Sequence, residues 1–337
     1  MRRGVLLALI LALTACHSRG DRDPFTDSRI PPNLGPAFWP PQGWAWGLIQ
    51  VGDDPPQRYG VGAPIDQPAG AQLLYLPTYG GVSEEYFETA NALIGRRIQV
   101  WTLDGVGQGG SGRIAGARDL GHVDSFRGDV DGVEQMAATV IRPDERRPLV
   151  VVADGAAAPV LLRAAEDQPI GVVALVLTQP RLGAPTRPAA PPSSLWARWL
   201  RYGQYRAPGQ GAWRREAPSG QAGSAAFARH AWQTANPDLR MGGPSLGWMA
   251  AFDELTAAAK AGLRRVGLPV LVLVDPTAPA GQRRDQAALC RALPHCTLAT
   301  APPDAWPDRE AAFVAGVVKS AANPLETAPL PIASHGR

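Results

Sequence analysis

The strongest candidate for chemistry in this chain is a run of small residues that follows a buried-strand pattern. Residues 149–153 read Leu-Val-Val-Val-Ala, and the next five read Asp-Gly-Ala-Ala-Ala. Such small residues are typical of a tight strand-to-helix turn, and a serine at the centre of that turn can attack an ester or amide carbonyl. Gly155 occupies the central position. Because glycine has no side chain, we predict a vacant nucleophile position there.

Asp154 is the alternative nucleophile at this turn. A shift of the turn by one residue would place its carboxylate at the centre, and carboxylates do act as nucleophiles in some hydrolases. The turn requires small residues two positions to either side of its centre. These are Ala153 and Ala157 if Gly155 is central, whereas one of them is Val152 if Asp154 is central. Asp154 is therefore a fallback, and its other interpretation is a polar residue lining a shallow cleft.

Alternating strand and helix patterns supply the elements that hold this turn. Short apolar runs predict strands at Gln72–Leu76, Gln99–Asp104, Leu149–Ala153, Val172–Thr178, Val270–Val274 and Cys296–Thr300. Helical patterns lie between them at Glu84–Leu93, Val123–Val140, Ala156–Ala165, Leu246–Lys260, Gln282–Ala292 and Asp308–Ser320. Near-continuous apolar strands are buried on both faces, so the sequence predicts an α/β protein with a doubly wound, mostly parallel sheet.

The alternation is interrupted once, by residues 183–243, which are rich in Pro, Gly, Trp and Arg. This segment follows a predicted strand, and we interpret it as a cap inserted at the carboxyl edge of the sheet, where such folds bind ligands. The predicted core then comprises residues 37–182 and 244–322. Residues 323–337 have little apolar pattern and are predicted to form a disordered tail.

Four segments outside the turn follow a family pattern in the same order along the chain. They are Tyr79–Phe87 (YGGVSEEYF), Asp104–Gly112 (DGVGQGGSG), Gly121–Phe126 (GHVDSF) and Gly242–Trp248 (GGPSLGW). The set resembles the lysophospholipase and monoacylglycerol lipase (serine aminopeptidase-like) branch of the α/β-hydrolase superfamily. The resemblance implies an α/β-hydrolase fold with an inserted, mainly helical cap. Function must still be argued from the site.

The resemblance also implies a Ser-Asp-His triad, and all three positions depart from the family pattern. Gly155 stands at the serine position. Asp275 lies near the position of the acid but a few residues early, and its other interpretation is a strand-end aspartate that starts a turn before Pro276. The position of the histidine, after the strand Cys296–Thr300, reads Ala-Pro-Pro-Asp-Ala-Trp.

Backbone donors and histidines decide what chemistry could remain. Backbone amides survive changes of side chain, so we expect oxyanion-like donors near Thr78 or Tyr79 and at Ala156. No general-base position is occupied by any of the five histidines, which are His17, His122, His230, His295 and His335. Without a base, even a serine hydroxyl is a poor nucleophile near neutral pH. The sequence therefore favours a catalytically inactive protein.

Residues 1–15 have the pattern of an export signal. Two arginines precede an apolar run at residues 5–13, which is too short to span a bilayer, and Leu13–Cys16 (LTAC) is typical of a bacterial lipoprotein signal. We expect lipidation of Cys16 and anchoring in the bacterial cell envelope, facing the periplasm. No aspartate follows Cys16, which favours the outer membrane. Residues 16–36 are predicted to form a flexible tether.

Cys290 and Cys296 are the two cysteines that remain after lipidation of Cys16. Disulfides persist in an oxidising compartment such as the periplasm, so a bond between these two is one hypothesis. The other is two separate buried thiols, since a free cysteine packs well as a small hydrophobe.

The cap segment interleaves aromatic rings with arginines. The rings and cations that could form a membrane or ligand face are Trp196, Trp199, Arg201, Tyr202, Tyr205 and Trp213. Aromatic rings suit the headgroup level of a membrane, where guanidinium groups meet phosphates. The alternative is a cap in which the rings form the core and the arginines a solvated rim.

Composition narrows the function classes. The formal net charge of +3 over 337 residues does not suggest a nucleic-acid partner, and the sequence has no metal-ligand or phosphate-loop spacing, so no metal or cofactor is expected. The leading hypothesis is a lipid-anchored, catalytically inactive protein that binds an acyl lipid, such as a lysophospholipid, or an envelope protein. The alternatives are an active carboxylic-ester hydrolase with a relocated nucleophile and a structural interaction protein.

Overall fold

The computed structural model describes residues 23–114, 116–167, 171–183, 202–216 and 225–322. These residues contain one eight-stranded sheet with the order β1-β2-β4-β3-β5-β6-β7-β8. The strands are β1 Ala45–Ile49, β2 Gln57–Gly62, β3 Ala71–Leu76, β4 Ile98–Leu103, β5 Leu149–Asp154, β6 Val172–Thr178, β7 Val270–Val274 and β8 Cys296–Thr300. β3 to β8 are parallel, which confirms the predicted α/β fold with a mostly parallel sheet.

β1 and β2 are antiparallel to their neighbours and were not among the predicted strands. The glycines of β2 hide its strand pattern, because glycine disfavours strands in general. Here they make room for indole rings. A Cβ added to Gly60 would lie 2.4 Å from the Trp44 ring, and one added to Gly62 would lie 2.9 Å from the same ring. The glycines of β2 are therefore explained by tertiary contacts with these rings, which the local sequence does not show.

Helices cover both faces of the sheet. They are α1 Phe87–Ile94, α2 Arg127–Gln135, α3 Ala158–Ala164, α4 Ala225–Ala235, α5 Leu246–Gly262, α6 Ala280–Ala292 and α7 Trp306–Ala322. α1 and α7 pack on the face that carries Leu73, Val150 and Val176. α2, α3, α5 and α6 contribute to the larger core on the opposite face. Alternate residues of each buried strand thus enter two separate cores, as a doubly wound sheet requires.

The predicted helices match the observed ones except at their ends. The helix predicted at Val123–Val140 begins at Arg127 as α2 and finishes as a π-helical segment, Met136–Ile141, closed by Arg142 with φ 49°. The first turn of the helix predicted at Glu84–Leu93 is a 3-10 turn, Ser83–Tyr86. Among the residues described, no helix is long and apolar enough to cross a membrane.

Part of the cap lies within the described residues. It comprises residues 202–216, which begin with a 3-10 turn at Tyr202–Gln204 and are otherwise irregular, and the helix α4, after which the chain returns to the core through Gly242–Trp248. Cys16, Trp196, Trp199, Arg201 and the predicted tail lie outside the described residues. Nothing in the structure therefore bears on them.

The last strand is tied to the helix before it. A disulfide joins Cys290, near the end of α6, to Cys296, the first residue of β8, with 5.4 Å between their Cα atoms. Of the two states that the sequence left open for these cysteines, the structure has the bonded one. β8 is an edge strand that pairs only with β7, so the bond adds a covalent connection where the sheet has hydrogen bonds on one side alone.

Residues 23–36, here called the N-terminal strap, lie against the folded body. The Phe25 amide donates to the Gly110 carbonyl at 2.8 Å. The Arg29 backbone makes two hydrogen bonds with the side chain of Asn236, at the end of the cap helix. Leu34 is buried in a small core that it shares with cap residues such as Trp232. The part of the predicted tether from residue 23 onward is therefore held by specific contacts.

The strap closes over a buried ion cluster. Arg58 of β2 is fully buried and donates to both carboxylate oxygens of Glu84, each at 2.8 Å, and to Asp104. Ser28 of the strap donates to Glu84. Burial alone would lower the pKa of Arg58, but the two carboxylates raise it above its usual value. These ion pairs thus join the start of β2 to the end of β4 and to the strap. Removing one partner would leave a buried charge unpaired, at a large cost in folding free energy.

Candidate functional site

The turn after β5 has the shape of a nucleophile turn. β5 ends at Asp154, Gly155 has φ +50°, and a 3-10 turn, Gly155–Ala157, leads into α3. A positive φ at this point is the strained backbone that exposes a central nucleophile in such turns. Glycine adopts it with little strain. The geometry of the turn is present without a side chain to use it.

Thr78 occupies the space that a nucleophile would need. A Cβ added to Gly155 would lie 2.4 Å from the Thr78 Oγ1 atom and 3.2 Å from its Cβ. The first distance is much shorter than any real Cβ contact. A serine at position 155 would therefore displace Thr78, which lies just beyond the end of β3.

The same hydroxyl engages the expected oxyanion donor. The Ala156 amide donates to Thr78 Oγ1 at 3.0 Å. An oxyanion hole stabilises a transition state only if its donors are free to point at the developing charge. Here the amide has a neutral internal acceptor, and a substrate oxygen would have to displace that acceptor.

Tyr79 is also committed to internal contacts. Its hydroxyl donates to the Gly242 carbonyl at 3.0 Å, and its ring packs edge-on against Trp248 with centroids 4.5 Å apart. Burial raises the pKa of Tyr79 above its usual range, so the phenol stays neutral. Trp248 in turn packs on Phe126 and Phe252. This aromatic cluster fills the space between the turn and the helix that returns from the cap.

A small cavity remains beside the turn, with a volume of about 30 Å³. It is lined by Tyr79, Ala156 and Trp248 on one side and by Gln57 and Asp129 on the other. A buried water needs roughly 10–15 Å³ by this measure, so the space suits about two waters. An acyl chain of a lipid could enter it only if the aromatic cluster moved.

Two buried acceptors face this cavity. Gln57 Oε1 and Asp129 Oδ2 have no hydrogen-bond partner among the described residues. The other atoms of both side chains are fixed, since Gln57 Nε2 donates to the Gly128 carbonyl and Asp129 Oδ1 accepts from the Val106 amide. Burial raises the pKa of Asp129 to about 7. The cavity is thus polar at one end and holds no nucleophile paired with a base.

Asp154, the fallback nucleophile, points to the opposite side of the sheet end. Its Oδ1 atom accepts from the Thr178 hydroxyl at 3.1 Å, and burial raises its pKa against the effect of nearby Arg229. Glu85, which pairs with Arg229, lies close by. Burial raises the pKa of Glu85 to about 7. Asp154 is thus a partly exposed member of an acidic group with Glu85, and the described residues place no imidazole against it.

Asp275, the other fallback residue, starts a turn. Its Oδ1 atom accepts from both the amide and the hydroxyl of Thr277, each at 2.7 Å. This is an Asx turn, the behaviour expected of an aspartate before proline at a strand end. The described residues place no histidine against it.

One imidazole does contact a hydroxyl. His122 Nδ1 lies 2.8 Å from Ser245 Oγ, and His122 Nε2 lies 3.4 Å from the exposed carboxylate of Asp124. Ser245 is fully buried, however, and its Oγ caps α5 by accepting from the Trp248 amide. A Cβ added to Gly247 would lie 2.7 Å from the imidazole, so the backbone of α5 packs directly against His122. Neither His122 nor Ser245 lines the cavity at the turn.

The other predicted cap residues divide into two groups. Trp213 is held internally, because its indole donates to Gln233 at 2.9 Å and its ring stacks on His230. Tyr202 and Tyr205 are 38% and 59% exposed, with their ring centroids 5.8 Å apart. Of the predicted cap residues that the structure describes, the two tyrosines are thus the ones exposed at the surface.

Comparison with known proteins fits this geometry. Residues 67–302 match the sequence profile of the family described as serine aminopeptidase, S33. The chain belongs to this family. The match covers the turn, the motif after β4 and the return from the cap, so the family resemblance and the α/β-hydrolase fold predicted from the sequence are confirmed.

Solved structures share the fold at low identity. A carboxyl esterase from Bacillus coagulans is 12% identical with a TM-score of 0.57, covering 82% of this chain and 100% of its own. A monoglyceride lipase from Saccharomyces cerevisiae is 12% identical with a TM-score of 0.58, covering 81% and 94%. A membrane phospholipase A is 16% identical with a TM-score of 0.51, covering 94% and 99%. A search of curated protein sequences finds no significant match.

Sequence reasoning missed the role of the Thr78 side chain, which fills the space at Gly155 and accepts from the Ala156 amide. Thr78 was considered only as a backbone donor, and its side chain carries the effect. Glu85 and Glu310 were missed as well, since a glutamate in a helical pattern is normally exposed. Tyr75 donates to Glu310, whose pKa burial raises to about 8. The sequence did contain a signal for these two buried glutamates, because a charged residue among the apolar positions of a predicted helix is unexpected.

We predict that Gly155→Ala destabilises the protein more than its positive φ explains. Gly52 is the matched control, because it has φ +53° and no atom within 4 Å of an added Cβ. Gly52→Ala should cost about 1–2 kcal/mol from the backbone alone. Gly155→Ala should cost about 1–3 kcal/mol more through overpacking against Thr78.

Urea unfolding of the two variants and of Gly155→Ala/Thr78→Ala measures this difference. Removal of the Thr78 hydroxyl should recover part of the extra loss, which a double-mutant cycle would show as coupling. Equal costs for Gly52→Ala and Gly155→Ala would contradict the described contact.

We also predict that stability falls as pH rises. The pKa of Glu310 is about 8 in the folded protein, above its ordinary value of 4.5. A raised folded pKa gives stability that is fully present below pH 4.5 and is lost as pH rises through about 8. Glu310→Gln should reduce the slope of the unfolding free energy against pH over this interval, and Glu85 and Asp129, whose pKa values burial raises to about 7, should supply the slope that remains. Glu254→Gln, at an exposed position of α5, should leave the profile unchanged; if it flattens the profile equally, the assignment to Glu310 is wrong.

Proposed function

We propose that this S33 family member is a catalytically inactive, lipid-anchored protein of the bacterial envelope that acts by binding a partner protein. The observation that carries the proposal is the Thr78 hydroxyl, which both fills the nucleophile space at Gly155 and accepts from the Ala156 amide. Loss of the nucleophile or base in serine hydrolases costs on the order of a millionfold in turnover. Here the oxyanion donor is engaged as well.

The size of the remaining cavity favours a partner protein over a bound acyl chain. Apolar burial of a lipid tail yields roughly 0.8 kcal/mol per methylene, which requires a groove of matching length. The cavity of about 30 Å³ offers no such groove. Ligand pockets are usually ten times larger or more. Because the described residues offer neither a nucleophile paired with a base at the turn nor a groove for a lipid tail, the proposal assigns the function to the protein surface.

The anchor is proposed from the N-terminal sequence. Residues 13–16 read Leu-Thr-Ala-Cys after a short apolar run, the pattern of lipoprotein processing. Several acyl chains on Cys16 would give stable attachment, whereas one chain binds only marginally. We place the protein on the periplasmic side of the envelope, with the outer membrane favoured by the residue after Cys16.

We predict that the purified protein neither reacts with a fluorophosphonate probe nor hydrolyses acyl esters. Probe labelling is followed on gels and by mass spectrometry, with an active serine esterase as the positive control. Gly155→Ser should remain unlabelled, because the introduced serine would meet Thr78 and the described lining of the cavity at the turn includes no histidine.

The alternative of an active ester hydrolase rests on one contact, between His122 and Ser245. Ser245→Ala is therefore the informative variant. Probe labelling of the wild type that disappears in Ser245→Ala would overturn the proposal and place the nucleophile at Ser245. Hydrolysis of an acyl ester that disappears in Asp154→Asn would overturn it in favour of the carboxylate. Tightly held fatty acid or lysolipid in the purified protein would favour the acyl-lipid function.

A further inference from the structure

The N-terminal strap fixes where the chain leaves the folded body. The Phe25 amide donates to the carbonyl of Gly110, and the Phe25 ring lies 5.6 Å from the buried Arg58 guanidinium. Gly110 belongs to the loop that follows β4, residues 104–121. Since β4 is parallel to β3 and β5, this loop lies at the carboxyl ends of the parallel strands.

The same loop carries part of the cap. Gln204 Nε2 donates to the Ile114 carbonyl at 3.3 Å, and Arg206 pairs with Asp119 at 2.8 Å. Tyr202 and Tyr205 flank these contacts and are 38% and 59% exposed. The fold therefore brings the start of the strap and the exposed tyrosines to one end of the molecule.

The exposed surface near these tyrosines is basic. Residues 202–216 contain three arginines and one acid, Glu216. Arg214 and Arg215 are exposed, whereas Arg206 is held by Asp119 and by the carbonyls of Gly211 and Gly243. Tyrosine rings lie well at the headgroup level of a membrane, and guanidinium groups bind phosphates. The chemistry matches an anionic lipid surface.

The length of chain before the strap limits the distance to a membrane. Phe25 lies nine positions after Cys16 in the sequence. A fully extended chain of that length spans at most about 32 Å, and a flexible one has a root-mean-square span of roughly 17 Å. If residues 16–36 were all flexible, the body could take many orientations. The contacts of the strap shorten the free connection by more than half.

We propose that the end of the molecule formed by Tyr202, Tyr205, Arg214 and Arg215 rests on the anionic headgroup layer of the envelope membrane. We call it the membrane end. The inference rests on the lipid anchoring at Cys16 proposed above. The opposite end, where β2 turns into β3 and Ile65 is 64% exposed, then faces the periplasm and is free for a partner protein.

Site-directed fluorescence quenching tests this orientation. The lipidated full chain is placed in vesicles of phosphatidylethanolamine and phosphatidylglycerol that carry a headgroup nitroxide quencher. A fluorophore is attached through Ala212→Cys, at the membrane end, or through Ile65→Cys, at the opposite end. Both positions are exposed, and Cys290 and Cys296 are bonded to each other, so neither competes for the label. We expect quenching at residue 212 to exceed that at residue 65 several-fold.

Two variants distinguish the contribution of the strap contacts from that of the arginine charges. A flexible Gly/Ser insertion of about 20 residues after Arg22 should reduce the difference between the two positions, since it frees the body from the membrane. Arg214→Gln/Arg215→Gln should reduce quenching at residue 212 in anionic vesicles and leave it unchanged in phosphatidylcholine vesicles. Equal quenching at both positions, or stronger quenching at residue 65, would overturn the proposed orientation.

The anchoring itself has a separate readout. Flotation of the wild type with vesicles, lost in Cys16→Ser, shows the anchor. If the wild type does not float, or if Cys16→Ser floats equally, the lipid-anchored function fails. If the wild type floats but residues 212 and 65 are quenched equally, the orientation alone fails.

Discussion

The structure of the turn after β5 depends on one hydrogen bond. The Ala156 amide, which in a catalytic member of such a fold would face a substrate oxygen, donates to the hydroxyl of Thr78. Glycine is the only residue type that leaves room for Thr78 at position 155, since a Cβ there would lie 2.4 Å from that hydroxyl. The glycine and the threonine thus depend on each other. Together they give the Ala156 backbone donor of this turn an acceptor within the protein.

The rest of the site has the same character. Tyr79, Trp248 and Phe126 fill the region in front of the turn, and the His122 and Ser245 pair holds the return from the cap to the core. Polar groups that could do chemistry in an open cleft are instead hydrogen-bonded or buried. Glu85 is buried and Asp154 is partly buried, and burial raises the pKa values of both. These core and cap contacts stabilise the fold of this S33 family member.

Much of this was predictable from local patterns, and the remainder depends on tertiary contacts. The six parallel strands were found because buried apolar runs are recognisable, and Asp275 behaves as a turn residue because its chemistry is local. β2 was missed because its glycines accommodate Trp44 and Trp46. The role of Thr78 was missed because a hydroxyl after a strand has no fixed partner in sequence. The strap was expected to be flexible because polar, proline-rich composition does not show the contact between Arg29 and Asn236.

Hydrogen exchange at the Ala156 amide tests the central claim most directly. If this amide is bound to Thr78, it should exchange slowly in the wild type and at least about fivefold faster in the near-isosteric Thr78→Val variant, because a hydrogen bond worth roughly 1 kcal/mol or more is lost. Amides elsewhere in α3 serve as the internal reference. An Ala156 amide that exchanges freely in the wild type, or at the same rate in both proteins, would contradict the account and leave the oxyanion donor open.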